Sequence, residues 1–492
     1  MSGEGAPRRL HPGTILLRFV REAPSAVIPL VAAIGFARKG GFGWALLLAA
    51  AVAAVMLLLG WLGWRRFTYR IEAAEIVVES GILHRNRRSI PFARIQDVDI
   101  ERRFLARLFG LAKVRIETGA GGKDEGTLDS VSMAEALRLR ETVRARRLGE
   151  VPADAPAEAA PSAPLLYEMD VPRLLLFGLF SFSLAYVAGL FALLQTFDRL
   201  LPFDIYDPAR WVGLAGEYLP HRWTVAAIGA VLFLAVLLGV VAGVVRTVSR
   251  DFGYRLTLEG GRFRREQGLL TRSEAVIARP RVQLAQVRSG PLRALFGWSA
   301  LSFQTLGAGT DRSGRQNAAP FATRAEVEAV LAEAPPMRLP PPPALEPVSR
   351  RHILRSLAGR LLPLAAAIGG LSFLDPRVLA AAALLPFVAA LAWAERRFHR
   401  YAFDGELLFV MRGPWRRRMW IVPVGRIQAL SLSRGPVQRR LGLASLAIDT
   451  AGAPLVDAPR IVDLRRETAE ALAAALRAAG QACSGRKSGT ER

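Results

Sequence analysis

The side chains that most often carry reactions are sparse in this sequence and poorly spaced for one. Its five histidines stand at 11, 84, 221, 352 and 399, and its single cysteine is Cys483. No His-Glu-x-x-His run or Cys/His spacing suits a metal, and one cysteine allows no disulfide within the chain. Scattered in this way, the histidines read as interfacial or surface residues. The glycine-rich stretches 119–126 and 307–314 have neither a Gly-Lys-Ser/Thr end nor a G-x-G-x-x-G spacing, so they read as turns after strands. No G-x-S-x-G elbow presents a nucleophile. With no acid, base and nucleophile in register, no catalytic residue, metal or cofactor is assigned and the chain reads as a non-enzyme.

Arginine is what the sequence concentrates. Arg85, Arg87 and Arg88 form one cluster, Arg262, Arg264 and Arg265 a second, and Arg416, Arg417 and Arg418 a third. A basic segment at an anionic leaflet gains about 1 kcal/mol per Lys or Arg close to the surface. The clusters are therefore either contacts to headgroups or a partner, or charge that merely keeps these segments on one side of a membrane. Two motifs add Arg94 and Gln96 around Ile95, and Arg426 and Gln428 around Ile427. Alternation along a strand turns both isoleucines inward and the polar pair outward. Those pairs either offer donors to a peptide or lipid, or tie a strand edge to a neighbouring loop. Nucleic acid is not expected, because no aromatic interleaving or recognition helix accompanies the charge.

The elements that must hold these residues follow from where the apolar residues lie. Of 492 residues 51% are hydrophobic, yet 66 Lys and Arg face 42 Asp and Glu, for a net charge of +24. The two properties coexist because they occupy different segments. Apolar runs come in pairs: Pro24–Phe36 with Gly43–Trp64, Val171–Thr196 with Trp223–Val245, and Leu357–Leu374 with Arg377–Ala394. Crossing ~30 Å of hydrocarbon takes about 20 apolar residues, and backbone amides in lipid must pair internally, so these are expected to be about six transmembrane helices in three hairpins. The first run and the third pair are short, whereas the second, third and fourth runs are long enough. Thr14–Ala23 reads as an interfacial lead-in helix, with Ile15, Leu16, Phe19 and Val20 on one face. Trp44, Trp61, Trp64, Trp211 and Trp223 sit where an aromatic belt would. Arginine crowds just beyond the second, fourth and sixth spans, at Arg65, Arg66, Arg70, Arg246, Arg250, Arg396, Arg397 and Arg400. By the positive-inside rule the N-terminus and all three soluble segments are cytoplasmic. Charge within the spans is scarce, which weighs against an ion-coupled transporter.

The soluble segments are copies of one another. RRFTYRIEAAEIVVESGILHR from Arg65 matches RDFGYRLTLEGGRFRREQGLLTR from Arg250 and RRFHRYAFDGELLFVMRGPWRR from Arg396. IPFARIQDV from Ile90, RPRVQLAQV from Arg279 and VPVGRIQAL from Val422 follow. Anchored on proline, these three put Gln283 and Ala285 opposite Arg94 and Gln96, so the second copy reads as having lost the motif. FLARLFGLAKVRIET from Phe104, PLRALFGWSALSFQT from Pro291 and PVQRRLGLASLAIDT from Pro436 complete the match. Period-two alternation predicts strands at Thr68–Ile71, Glu75–Leu83, Ile95–Ile100 and Val114–Thr118. Gly81, Gly268 and Gly413 occupy one equivalent turn that would want a positive φ. Helices at Met133–Arg147, Thr323–Ala334 and Glu467–Ala479 would close each unit. The expected organisation is a lead-in helix and hairpin at 1–64, a domain at 65–149, a linker at 150–170 and a hairpin at 171–249. A domain at 250–334, a proline-rich linker at 335–348, a hairpin at 349–395, a domain at 396–480 and a disordered tail at 481–492 follow. Each domain is expected to be mainly β or α+β, a bent sheet or partly open barrel capped by its C-terminal helix.

The motif I-P-x-x-R-I-Q, then L-x-R-L-F-G-L, then a strand ending in Thr, all directly after a membrane hairpin, resembles the bacterial pleckstrin-homology-like or membrane-flanked domain. The threefold arrangement, opening on Leu10-His11-Pro12 and Thr14-Ile15-Leu16, resembles the YdbT-like membrane proteins over nearly the whole chain. The resemblance implies a multi-pass protein of the bacterial inner membrane with PH-like domains. It also implies a role in membrane-stress or antimicrobial-peptide tolerance, with the bilayer and a smaller companion membrane protein of the family as partners. A transporter or lipid-handling protein, with the spans as its working part, is the alternative.

Overall fold

The computed structural model describes residues 7–22, 42–81, 84–118, 126–148, 163–181, 221–305, 315–341, 345–452 and 457–489. Outside them lie the expected span Pro24–Phe36, the third span beyond Ser181, Trp211, most of the linker 150–164 and nearly all of both glycine-rich stretches.

Each repeat contributes seven strands in the same order. The first has β1 (Arg8–Arg9), β2 (Thr68–Ile71), β3 (Glu75–Ser80), β4 (Asn86–Pro91), β5 (Ile95–Arg102), β6 (Leu111–Thr118) and β7 (Thr127–Ser132). The second has β8 (Leu165–Glu168), β9 (Arg255–Glu259), β10 (Arg262–Gln267), β11 (Arg272–Ala278), β12 (Val282–Ser289), β13 (Ser299–Thr305) and β14 (Arg315–Ala322). The third has β15 (Glu346–Pro347), β16 (Arg400–Phe403), β17 (Leu407–Arg412), β18 (Arg417–Pro423), β19 (Ile427–Ser433), β20 (Leu443–Thr450) and β21 (Arg460–Arg465). The opening strand of every repeat lies before its hairpin, in what read as a polar N-terminus or a spacer. Arg8 pairs with Tyr69, Glu168 with Arg255 and Pro347 with Arg400. The apolar segments read as membrane spans are thus placed between the first and second strands of each domain.

The one bent sheet expected per domain is two half-sheets. Their hydrogen-bonded orders are β1-β2-β3-β4, β7-β6-β5-β11-β10-β9-β8, β14-β13-β12-β18-β17-β16-β15 and β19-β20-β21. In every repeat the chain leaves one sheet after its fourth strand, turns through a single 3₁₀ turn and enters the other sheet. The turns are Phe92–Arg94, Arg279–Arg281 and Val424–Arg426, and each is followed by a register shift at the start of the next strand. Such a bulge bends a strand sharply, so the fourth and fifth strands of one repeat cannot pair with each other. They pair with the neighbouring repeat instead, β5 with β11 and β12 with β18.

Helices Met133–Leu148, Arg324–Ala332 and Arg466–Gly489 close the units. They bury Ala136, Leu139 and Val143, then Val327, Val330 and Leu331, then Ala469, Ala473 and Leu476, in each case on one helical face. Thr323 and Glu326 cap the second helix reciprocally. The third helix runs on to Gly489, where a disordered tail was expected. It lies along the Val424–Arg426 turn, with Gly480 against Val424 and Cys483 against Gly425. The first repeat has its own core. That of the second joins Phe263, Phe303 and Phe321 to Leu407, Phe409 and Ile421 of the third, and the third takes in Leu284 of the second.

Among the described residues three helices are long and apolar enough to cross a membrane: Phe233–Asp251, Arg351–Ser372 and Pro376–Phe398. A 25-residue helix, Phe42–Arg66, stands where the second span was expected. The third hairpin read as short because its flanks are basic. Its helices start at Arg351 and end at Phe398, giving 22 and 23 residues. Their apolar side chains, such as Phe233, Leu362 and Phe387, face outward, Phe233 at 69% exposure. The lead-in helix Gly13–Glu22 turns Leu16 and Val20 outward and buries Thr14.

Candidate functional site

The three arginine clusters do not form equivalent surfaces. Arg85 just before β4 and Arg87 and Arg88 on it are exposed, with Arg87 3.8 Å from Glu79. In the second repeat the cluster is internal. Arg264 pairs with Glu259, Glu266 and Glu274, and buried Arg265 donates to the Asn317 carbonyl at 3.2 Å. Arg262, half-buried on the same strand, opposes Ala278. In the third repeat Arg418 pairs with Asp457, Arg417 lies 4.3 Å over the Phe398 ring where the last membrane helix ends, and Arg416 is exposed.

The Arg-x-Gln motif sits at the corner between half-sheets. The residues capping the three 3₁₀ turns are Pro91, Ala278 and Pro423. Aligned on these caps, Arg94, Arg281 and Arg426 are equivalent, as are Ile95, Val282 and Ile427, and Gln96, Gln283 and Gln428. The second repeat therefore keeps the motif as Arg281-Val282-Gln283. Proline misled the sequence alignment, because Pro280 lies inside its turn rather than before it. The isoleucine position points inward, with Ile95 and Val282 buried. Gln283 donates to the Arg281 carbonyl at 3.0 Å, inside its own turn. Arg426 donates to the Pro280 carbonyl of the second repeat at 2.8 Å. Arg94 and Gln428 are exposed, and the Gln96 side chain lies outside the described residues.

One apolar surface recurs that charge patterning did not single out. The Leu-Phe-Gly segments form five-residue helices, Phe104–Leu108 and Pro291–Leu295, with Pro436–Arg440 as their counterpart. Gly110, Gly297 and Gly442 close them at φ of +65°, +75° and +65°. Leu108 and Phe109, and Leu292, Leu295 and Phe296, stand exposed, Leu295 at 78%. Large apolar side chains grouped this way mark an interaction surface. The turns of the second and third repeats lie beside membrane helices. In the second repeat the Phe296 ring packs at 5.7 Å from that of Phe180, tilted by 57°, and Arg293 donates to the Phe180 carbonyl at 3.0 Å. At that level the hairpin helices touch closely, since a Cβ on Gly178 would meet the Val244 Cα at 2.8 Å. In the third repeat Arg351, first residue of its membrane helix, donates to the Leu441 carbonyl at 2.8 Å. The signal was present in the motif itself, as apolar residues recurring where a half-buried helix would carry polar ones.

The histidines are not all surface residues. His352 and His399 are buried at the two ends of the third hairpin with their rings 6.0 Å apart. Beside them Asp463, fully buried at φ +63°, accepts from His352 Nδ1 at 2.6 Å, Arg355 Nε at 2.5 Å and Gln438 Nε2 at 2.6 Å. Burial alone would raise the Asp463 carboxyl, but the hydrogen bonds from His352 and Gln438 and the Arg355 charge bring it below the ordinary range. Burial pushes His399 down to about 3, and the positive field of Arg412 adds to this. All three bonds to Asp463 come from the protein's own side chains, so the cluster fixes the hairpin to β21.

A family model described as Bacterial PH domain matches residues 25–147, 208–335 and 359–480. The UPF0699 transmembrane protein YdbT of Bacillus subtilis (strain 168) is 25% identical over 329 residues, which make up 63% of this chain and 65% of that protein. The chain therefore aligns with less than two thirds of that relative's length. No solved structure matches.

Proposed function

The chain belongs to the bacterial PH domain family, and from that premise we propose that it is a non-enzymatic scaffold on the cytoplasmic face of the bacterial inner membrane. In this reading three hairpins of two spans each hold three PH-like domains against the anionic leaflet. The array receives partner proteins or peptides, among them a companion membrane protein of the family, in envelope or antimicrobial-peptide stress. The observation that carries the leaflet contact is the exposed Leu-Phe-Gly turn beside the membrane helices. Leu292, Leu295 and Phe296 form an apolar tip with Arg293 beneath it. An amphipathic element of that kind inserts its apolar side chains at the headgroup boundary while arginine stays near the phosphates.

The test places an environment-sensitive fluorophore at Leu295→Cys in a Cys483→Ser background. The full chain is reconstituted into vesicles with and without anionic phospholipid. The expected emission is that of an apolar surrounding, quenched by spin labels placed shallow in the bilayer, and stronger with anionic lipid. Water-like emission in both vesicles would remove the leaflet from the reading.

A further inference from the structure

Among the described residues the four sheets have two strands of a kind that is elsewhere always paired. β4 ends the first sheet and β19 ends the last. Their counterparts are the strands that join repeats: β11 and β18 correspond to β4, and β5 and β12 correspond to β19. We propose that β4 of one chain pairs with β19 of a second copy, continuing between molecules the junction that already joins the repeats within one.

The two internal junctions share one register. Aligned on the caps Pro91, Ala278 and Pro423, Arg272 and Arg417 are equivalent, as are Arg102 and Ser289. The observed pairs Arg272↔Arg102 and Glu274↔Ile100 superpose on Arg417↔Ser289 and Met419↔Val287. Applying the same register to the edges of β4 and β19 that carry no further strand among the described residues sets Asn86 opposite Ser433, Arg87 opposite Leu432, Arg88 opposite Ser431 and Ser89 opposite Leu430. Burial tracks the pairing. Ala275 and Trp420 are buried, while their counterpart Arg88 is exposed; Leu284 and Ala285 are fully buried, while Ala429 is exposed and Leu430 half-buried. A solvated strand edge is a template for pairing. Charges on an edge often serve to block that pairing, but here arginine also lines the joints already made. Arg102 opposes Arg272, and Arg288 opposes Arg418, which Asp457 neutralises. Arg85 and Arg87 at the free edge continue that pattern.

The second copy is the occupant favoured by complementarity, because each chain carries one edge of each kind. Such an interface is heterologous and extends or closes into a ring. The hairpins of all copies must stay in one bilayer, which favours the ring. The inference rests on the sheet edges and not on leaflet contact, so either can fail alone.

The test uses the full chain with Cys483→Ser, in native membranes. Arg88→Cys is placed on one tagged copy and Ser431→Cys on a differently tagged copy, and both are expressed together and oxidised. The expected product is a covalent pair carrying both tags, with the same result for Ser89→Cys and Leu430→Cys. The out-of-register pair Asn86→Cys with Leu430→Cys should give at least tenfold less. Absence of the two-tag product, equal yield out of register, or cross-linking only to a different protein would each overturn a second copy as the occupant.

Discussion

At Gly81, Gly268 and Gly413 the backbone turns with φ of +115°, +110° and +93°. An added Cβ there would collide with the carbonyl three residues on, that of His84, Thr271 or Arg416. The equivalence of these glycines was visible in the sequence because a hairpin turn has few other ways to be built. Buried partnerships were much less legible. His352, His399 and Asp463 are separated by up to 111 residues, and nothing local marks them as neighbours. The comparison that could have found them is between repeats, since the backbone position of Asp463, bonded to Ser349, is held by Ser130, bonded to His11, in the first. Their burial gives a pH dependence with a definite sign. An unfolded histidine titrates near 6.5, and His399 in the fold is pushed down to about 3. The stability this residue permits is complete above pH 6.5 and is lost as pH falls toward 3, with a limiting slope of about 1.4 kcal/mol per pH unit. The lowered Asp463 carboxyl acts in the same direction at still lower pH. Thermal unfolding of the third domain, followed between pH 7.5 and 4.5, should therefore show a falling midpoint that His399→Gln flattens. Parallel pH profiles for the two proteins would remove His399 as the cause.

Among the elements, strands with period-two alternation and closing helices with a single apolar face were readable, and most begin within a residue or two of expectation. The opening strands were not. Arg8–Arg9 and Glu346–Pro347 are two residues long, too short for alternation to register, and a hairpin separates each from the strand it pairs with. The corner motif was found but misassigned in the second repeat, because Pro280 was matched to Pro91 and Pro423 when its true counterparts are Ala93 and Gly425. The correction changes what the motif means. A residue kept in all three repeats at the bend of the chain serves the bend, and Arg426 reaches from that bend to Pro280 of the preceding repeat. Among the described residues no preceding repeat lies beside Arg94. Arg426→Ala should cost about 1–2 kcal/mol at the joint between the second and third domains and expose it to protease, whereas Arg94→Ala should leave the cleavage pattern unchanged. Limited proteolysis of the two variants in parallel checks this. Equal effects would mean that the motif stabilises each corner locally and not the joint.

On the scale of the whole molecule, charge and sheet continuity constrain the topology independently. The count of basic residues after each apolar pair argues for a cytoplasmic placement of each domain taken singly. Sheet pairing adds a condition that charge alone does not impose. Ile100 of the first repeat is opposite Glu274 of the second, and Val287 of the second is opposite Met419 of the third. Strands on opposite faces of a bilayer cannot share hydrogen bonds, so the segment between any two domains must cross the membrane an even number of times. A two-span insertion in each repeat would meet that condition, because a single added span would unpair the next domain. Reporters fused after Leu148 and after Ala334 should accordingly give the same answer: fluorescent where folding requires the cytoplasm, and inactive where activity requires export. Opposite answers at the two positions would break the continuous sheets, and export-type activity at both would leave the sheets intact while reversing the whole protein in its membrane.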